Sequence, residues 1–298
     1  MRFDIVLNDR RFILGEGPHF DRETGNLYWV DIVAGQAWRM HTGTGATQHW
    51  NCGMPVSAVV PRAKGGLLLA LKDRLEFFDP MTGARSLWAA PEGDLPANRS
   101  NEARVDPTGR FWLGTMQNNI GPHGEDLPIT QKSGALYRME ADGRFDKVVA
   151  PVGISNTLAW DEMRRCLYFA DTKAGVITKF DWDPQDGHLA NSRIFVRPND
   201  HGHPDGSALD AEGCLWNARW GGSCIIRYRP DGAVDRIVPV PVTNPTSCVF
   251  GGPDLRTLYV TSALSGLSDA QRAANPLEGA LLMTKSDVPG QTCTRLAA

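Results

Sequence analysis

Short runs of β-branched, aromatic and leucine residues recur along the chain, each bounded by Gly, Pro, Asp or Asn. Hydrophobic positions are almost nowhere spaced at the 3.6-residue helical period, so the pattern predicts an all-β fold. One unit repeats: a glycine-containing turn, an apolar strand, then a second strand that ends near an Asp-Gly or Thr-Gly turn. The copies are "TGNLYWVDIVAGQAWRM", "KGGLLLALKDRLEFFDPMTG", "TGRFWLGTM" continuing into "GALYRMEADG", "RRCLYFADTKAGVITKFDWDPQDG", "EGCLWNARWGGSCIIRYRPDG", and "RTLYVTSA" followed by "GALLMTK". Their anchors are Leu27, Leu68, Phe111, Leu167, Leu215 and Leu258, separated by 41, 43, 56, 48 and 43 residues.

A period in the forties with several strands per copy predicts a β-propeller, and six anchors predict six blades, filling residues 1–298 as a single domain. The long third interval holds the polar stretch 118–133, read as a loop inserted on one face. Ring closure is assigned to residues 3–7, which complete the sheet of the last blade. One short helix is expected, with Ser268 as N-cap, DAQRAA as its body and Asn275-Pro276 as its stop.

Composition narrows the function classes. The 298 residues are 42% hydrophobic, enough for a sizeable core, and carry a formal net charge of -3 with no lysine or arginine run. A nucleic-acid or anionic-membrane surface is therefore not expected. No apolar stretch resembles a signal peptide or a membrane span, which predicts a soluble, cytoplasmic protein. The six cysteines form no CxxC pair and are expected as free buried thiols.

A propeller gathers the ends of its inner strands around a central channel, so polar residues distant in sequence can converge there. Glu16, in "LGEGPHF", sits between Gly15 and Gly17 with Pro18 following, and a tight bend is expected to place its carboxylate. Arg99, Asn101 and Glu102 occur in "RSNEARVDPTG", Asn156 in "GISNTLAWD" and Asp205 in "HGHPDGSALD". Glu16, Asn101, Asn156 and Asp205 each precede their anchor by ten or eleven residues. By itself a Pro-Asp-Gly is a turn and an Asn before a strand an Asx-turn. The shared phase sets them apart, because it puts four side chains at one height in four blades. Glu16, Asn156 and Asp205 together supply oxygen ligands that suit a hard divalent cation. His201 and His203 lie on a turn beside Pro204; His203 is expected to line the pocket and His201 to face solvent. The aromatics of "LYW", "FWL", "LYF" and "LWN" are read as blade packing, and Glu125 and Asp126 as part of a solvated loop.

At these residues the sequence resembles a known family. "LGEGP", "SNEARVDPTGRFWLGTM", "GISNTLAW", "PDGSALDAEGCLWNARWGG" and "SCVFGGPDLRTLYVTSA" match, in order, the motifs of the senescence-marker-protein, gluconolactonase and luciferin-regenerating-enzyme family, also called the regucalcin family. Within it the chain looks most like bacterial sugar lactonases. The resemblance implies a six-bladed propeller with one divalent metal in the channel (Ca, Zn, Mn, Mg or Fe(II)). It implies Glu16, Asn156 and Asp205 as ligands, Asp205 also as general base, and Arg99 and Asn101 as holders of the substrate's hydroxyls and carbonyl. Glu102 and His203 are carried as further substrate contacts. The implied reaction is hydrolysis of an aldonolactone such as glucono-, galactono-, xylono- or arabinonolactone. A calcium-binding regulatory propeller, an interaction scaffold and an esterase of other esters are the alternatives; Arg99 and Asn101 count against mere calcium storage.

Three positions depart from the family pattern. Glu102 stands where Asp is common. Thr157 follows Asn156 where Gly is common, and is expected to add bulk near the metal and narrow the site. Thr130 is nearest to where some animal members carry a substrate-contacting glutamate.

Overall fold

Every blade is built on a second strand buried from both sides, and this accounts for the continuous apolar runs in the repeat. In Leu67–Leu71, Leu67, Leu69 and Leu71 pack toward one neighbouring blade, whereas Leu68 and Ala70 pack toward the other. The six anchors all lie on such second strands and all are 0% exposed.

The computed structural model describes residues 1–298. It contains six four-stranded antiparallel sheets arranged as a six-bladed β-propeller. The inner strands are Gly15–Asp21, Val56–Pro61, Asn98–Val105, Ser155–Asp161, His203–Leu209 and Pro245–Gly251, which define blades 1 to 6 in that order. There are six hydrophobic clusters, and each joins one pair of adjacent blades, the last joining blade 6 back to blade 1. The core is therefore a ring of inter-blade seams around a polar axis.

Asp4–Ile5 closes the ring. It pairs antiparallel with Leu282–Lys285, Asp4 opposite Met283, and so supplies the outermost strand of blade 6. The helix spans Asp269–Ala274, capped by a reciprocal Ser268–Gln271 capping box and ended at Asn275. Residues 118–133 fall between the second and third strands of blade 3 and contain no strand. The packing aromatics include Trp112 and Trp216. The indole of each donates to a buried aspartate six residues earlier, Asp106 at 3.0 Å and Asp210 at 2.8 Å. Cys293 is partly exposed and the other five cysteines are buried free thiols. No helix is long and apolar enough to cross a membrane.

Candidate metal and substrate site

All six inner strands share one irregularity. Near its start each carries one more residue than the strand it pairs with. Such a bulge bends the strand and re-aims a side chain. Glu16, Asn101, Asn156 and Asp205 all fall at these register breaks, which is the physical basis of their shared phase. Glu16 thus lies within a strand, at its bulge, rather than on a separate tight bend. Two glycines make the arrangement possible. Gly17 has φ +56°, and a Cβ there would sit 2.9 Å from the Ser57 carbonyl; one on Gly206 would overlap Ser247 Oγ.

At this end of the channel a cavity of ≈ 360 Å³ is lined by Glu16, Arg99, Asn101, Asn156, His203 and Asp205. His203 is exposed at the rim, and His201 is exposed nearby but is not part of the lining. Asn119, Thr172, Lys173 and Trp220 also line the cavity and were not foreseen. Thr172, Lys173 and Trp220 sit at the ends of second strands, where extending the phase argument would have found them. Asn119 comes from the inserted loop, which is therefore part of the site.

A chain of hydrogen bonds crosses from blade 3 to blade 5. Arg99 Nε donates to Asn119 Oδ1 at 2.9 Å and Nη1 to Asn101 Oδ1 at 2.6 Å. Asn101 Nδ2 donates to the Ser155 carbonyl at 2.8 Å and to Asn156 Oδ1 at 3.3 Å. Asn156 Nδ2 donates to Thr172 Oγ1 at 2.9 Å, and Thr172 Oγ1 donates to the Pro204 carbonyl at 2.7 Å. These partners fix both amide orientations. They leave Asn156 Oδ1 with a single long donor, and Arg99 Nη2 with no bond to the protein.

The electrostatics are unbalanced. Glu16 and Asp205 are 8% and 4% exposed. Burial, then the charge of Glu102, raises the Glu16 carboxyl to about 8. Burial, then Glu16 and Glu102, pushes Asp205 well above the usual carboxylate range. Burial also pulls Arg99 down to about 10 against the pull of Glu16 and Asp205. Glu16 accepts one backbone N–H, from Gly17 at 2.9 Å, while Asp205 Oδ1 has no hydrogen-bond partner. Buried carboxylates this poorly paired are costly unless a cation joins them. Two carboxylates and an amide oxygen, with no sulfur or imidazole among them, fit a hard divalent cation.

Two expectations require correction. Glu102 does not line the cavity: its buried carboxylate pairs with Arg104 at 3.3 Å, deeper in the channel. Thr157 does not narrow the site, because its hydroxyl bonds the Asp205 carbonyl and Ser207 Oγ of blade 5. Thr130 is exposed and bonds Gln117 through its backbone N–H at 2.9 Å, away from the cavity lining. Asp126 accepts the Gly266 N–H at 2.9 Å, which ties the inserted loop to blade 6.

Another acidic group, Asp210, Glu212 and Cys214, brings its potential ligand atoms within 4.8 Å of one another. It follows the opposite end of the blade 5 inner strand. Arg227 already occupies it, at 2.8 Å from Asp210 and 2.5 Å from Glu212, so both carboxylates have a cationic partner.

The chain is similar to proteins of known name over almost its whole length. A protein named L-arabinolactonase from Azospirillum brasilense is 34% identical over 295 residues, covering 98% of this chain and 95% of the other. Regucalcin of Xenopus laevis is 33% identical over 283 residues, covering 94% and 93%. A crystal structure of a calcium-binding protein, regucalcin from Agrobacterium tumefaciens, superimposes with a TM-score of 0.91 at 31% identity, covering 99% of this chain and 97% of that one. Residues 14–264, which hold every residue of the cavity, match the model of the SMP-30/Gluconolactonase/LRE-like region, and the chain belongs to that family.

Proposed function

We propose that this protein hydrolyses a sugar-acid lactone to the free aldonic acid, using a divalent cation held by Glu16, Asn156 and Asp205. The observation that carries this reading is one cavity lined by two underpaired buried carboxylates, an amide oxygen with a single long donor, and Arg99, whose Nη2 has no bond to the protein. Its ≈ 360 Å³ volume falls at the lower end of the roughly 300–1,000 Å³ common for small-molecule sites.

A divalent cation at these oxygens would polarise the lactone carbonyl and stabilise the negative charge that develops on it. Arg99 and Asn101 are already locked together, so they orient the hydroxyls of the ring at little entropic cost. Asp205 takes a proton from the attacking water as the new C–O bond forms. It returns that proton to the ring oxygen as the ester C–O bond breaks, giving the hydroxy acid. Lys173 and His203 at the rim offer further donors to an exocyclic hydroxyl.

The test is proton release from glucono-, galactono-, xylono- and arabinonolactone, compared with aryl acetates, in metal-supplemented protein. Acceleration over spontaneous hydrolysis is expected for at least one aldonolactone and little for the esters. A preference for aryl esters would make the protein a general esterase. Stoichiometric calcium binding with no turnover would leave the second reading, a calcium-binding regulatory propeller, which the likeness to regucalcins favours but which has no use for the open Arg99 donors.

A further inference from the structure

In blades 2, 4 and 6 the extra residue of the inner strand carries a hydroxyl: Ser57, Thr157 and Thr246. All three are buried, and each hydroxyl reaches the blade that follows. Ser57 Oγ lies 2.8 Å from Ser100 Oγ in blade 3. Thr157 Oγ1 donates to the Asp205 carbonyl in blade 5. Thr246 Oγ1 donates at 2.5 Å to the Gly15 carbonyl in blade 1, the oxygen of the Gly15–Glu16 peptide. The two threonines therefore grip the main chain at the two carboxylates of the site.

The bond directions are determined. A carbonyl only accepts, so the one hydroxyl proton of Thr157 goes to Asp205. Ser207 Oγ, 2.9 Å away, and Asn217 Nδ2, 3.3 Å away, then donate to Thr157. Asn217 Nδ2 also reaches the Asp205 carbonyl at 3.0 Å, its amide oriented by Arg219 Nη1 at 3.0 Å. Thr157 holds φ +47°, a left-handed conformation that β-branched residues avoid. Strain of this kind persists where surrounding contacts over-determine it, and it gathers at functional sites.

We propose that Thr157 and Thr246 are positioning residues that lock the main chain under Asp205 and Glu16 and so set the separation of the two carboxylates. This rests on the reading of those carboxylates as cation ligands. Ser57 is the internal control, since blade 3 contributes neither carboxylate.

The experiment measures Mn²⁺ affinity, by electron paramagnetic resonance of the free ion, for wild type, Thr157→Val, Thr246→Val, Thr157→Ser, Thr157→Gly and Ser57→Ala. Supports of this kind typically contribute roughly 10–100-fold to metal affinity. Losses in that range are expected for both valine variants, with Thr157→Ser and Ser57→Ala close to wild type. Thr157→Gly relieves the strained φ, which offsets the lost hydroxyl bonds, so it should stay folded and still bind Mn²⁺ more weakly; it carries the test if the valine variants do not fold. Wild-type affinity in the valine and glycine variants would overturn the proposal, as would an equal loss in Ser57→Ala. Mn²⁺ binding that depends on Thr157 in a protein without lactone turnover would sustain the clasp and refute the lactonase reading. No Mn²⁺ binding by wild type would refute both.

Discussion

Replacing Glu16 by Gln should move thermal stability in opposite directions with and without metal. In the metal-free protein the Glu16 carboxyl is raised from 4.5 to about 8, by burial and then by Glu102. The unfolded chain releases this proton near 4.5, whereas the folded chain keeps it until about 8. The folded state therefore binds more protons across that window, and stability falls as pH rises through it. At 1.36 kcal/mol per pKa unit, holding the proton at pH 7 costs about 3 kcal/mol. Gln carries no such cost, and its amide oxygen can still accept the Gly17 N–H. For a chain of 298 residues, an unfolding entropy of about 2.1 cal/mol/K per residue converts this to a rise in Tm of about 5 °C. The gap between variant and wild type should widen from pH 5 to pH 8.

Metal reverses the order. At one thousand times Kd a ligand specific to the native state adds about 4.1 kcal/mol, or about 7 °C on the same conversion. Wild type should gain that rise and Glu16→Gln almost none. Differential scanning calorimetry of metal-stripped protein, with and without added Ca²⁺ or Mn²⁺, reads both effects. An equal metal-induced rise in both proteins would refute the ligand role. A metal-free variant that melts below wild type would refute the electrostatic argument.

Three further outcomes follow from the same geometry. Metal uptake near pH 6–7 should release protons, because Glu16 and Asp205 are both raised in the metal-free protein, and affinity should climb with pH toward about 8; calorimetry in buffers of different ionisation enthalpy measures this, and uptake without proton release contradicts it. Arg99→Gln should raise KM for the best lactone roughly tenfold, the typical effect of losing a charge-assisted hydrogen bond, while leaving Ca²⁺ affinity within a few-fold; an unchanged KM would remove Arg99 from substrate binding. Asp210→Ala, which leaves Arg227 on Glu212 and Asp235 but removes the acceptor of the Trp216 indole N–H and of the Cys214 backbone N–H, should cost about 1–3 kcal/mol in urea unfolding with lactone kinetics at 25 °C near wild type; lost metal affinity in the folded variant would instead make that cluster the metal site.

The blades were legible because each second strand is buried on both faces, so that runs such as Leu67–Leu71 are apolar throughout and mark the period directly. The cavity was legible because a bulge at the same point of every inner strand fixes one phase for Glu16, Asn101, Asn156 and Asp205. The same bulge hid the rest. An extra residue breaks strand alternation, so the face taken by Glu102 or Thr157 could not be counted from neighbouring positions. Glu102 proved to pair with Arg104 below the site, and Thr157 to reach across to Asp205. Asn119 belongs to a loop without periodicity, and its hydrogen bond to Arg99 and its place in the cavity wall emerge only from the structure.

Metal-dependent lactone hydrolysis through Asp205 is open to a single titration. Metal-stripped wild type and Asp205→Asn are each titrated with a divalent cation while proton release from the preferred aldonolactone is followed. The wild-type rate should rise from the spontaneous background and saturate at one equivalent, and the Asn variant should stay at background throughout. Full activity in the stripped wild type, or an Asn variant as fast as wild type, would contradict it.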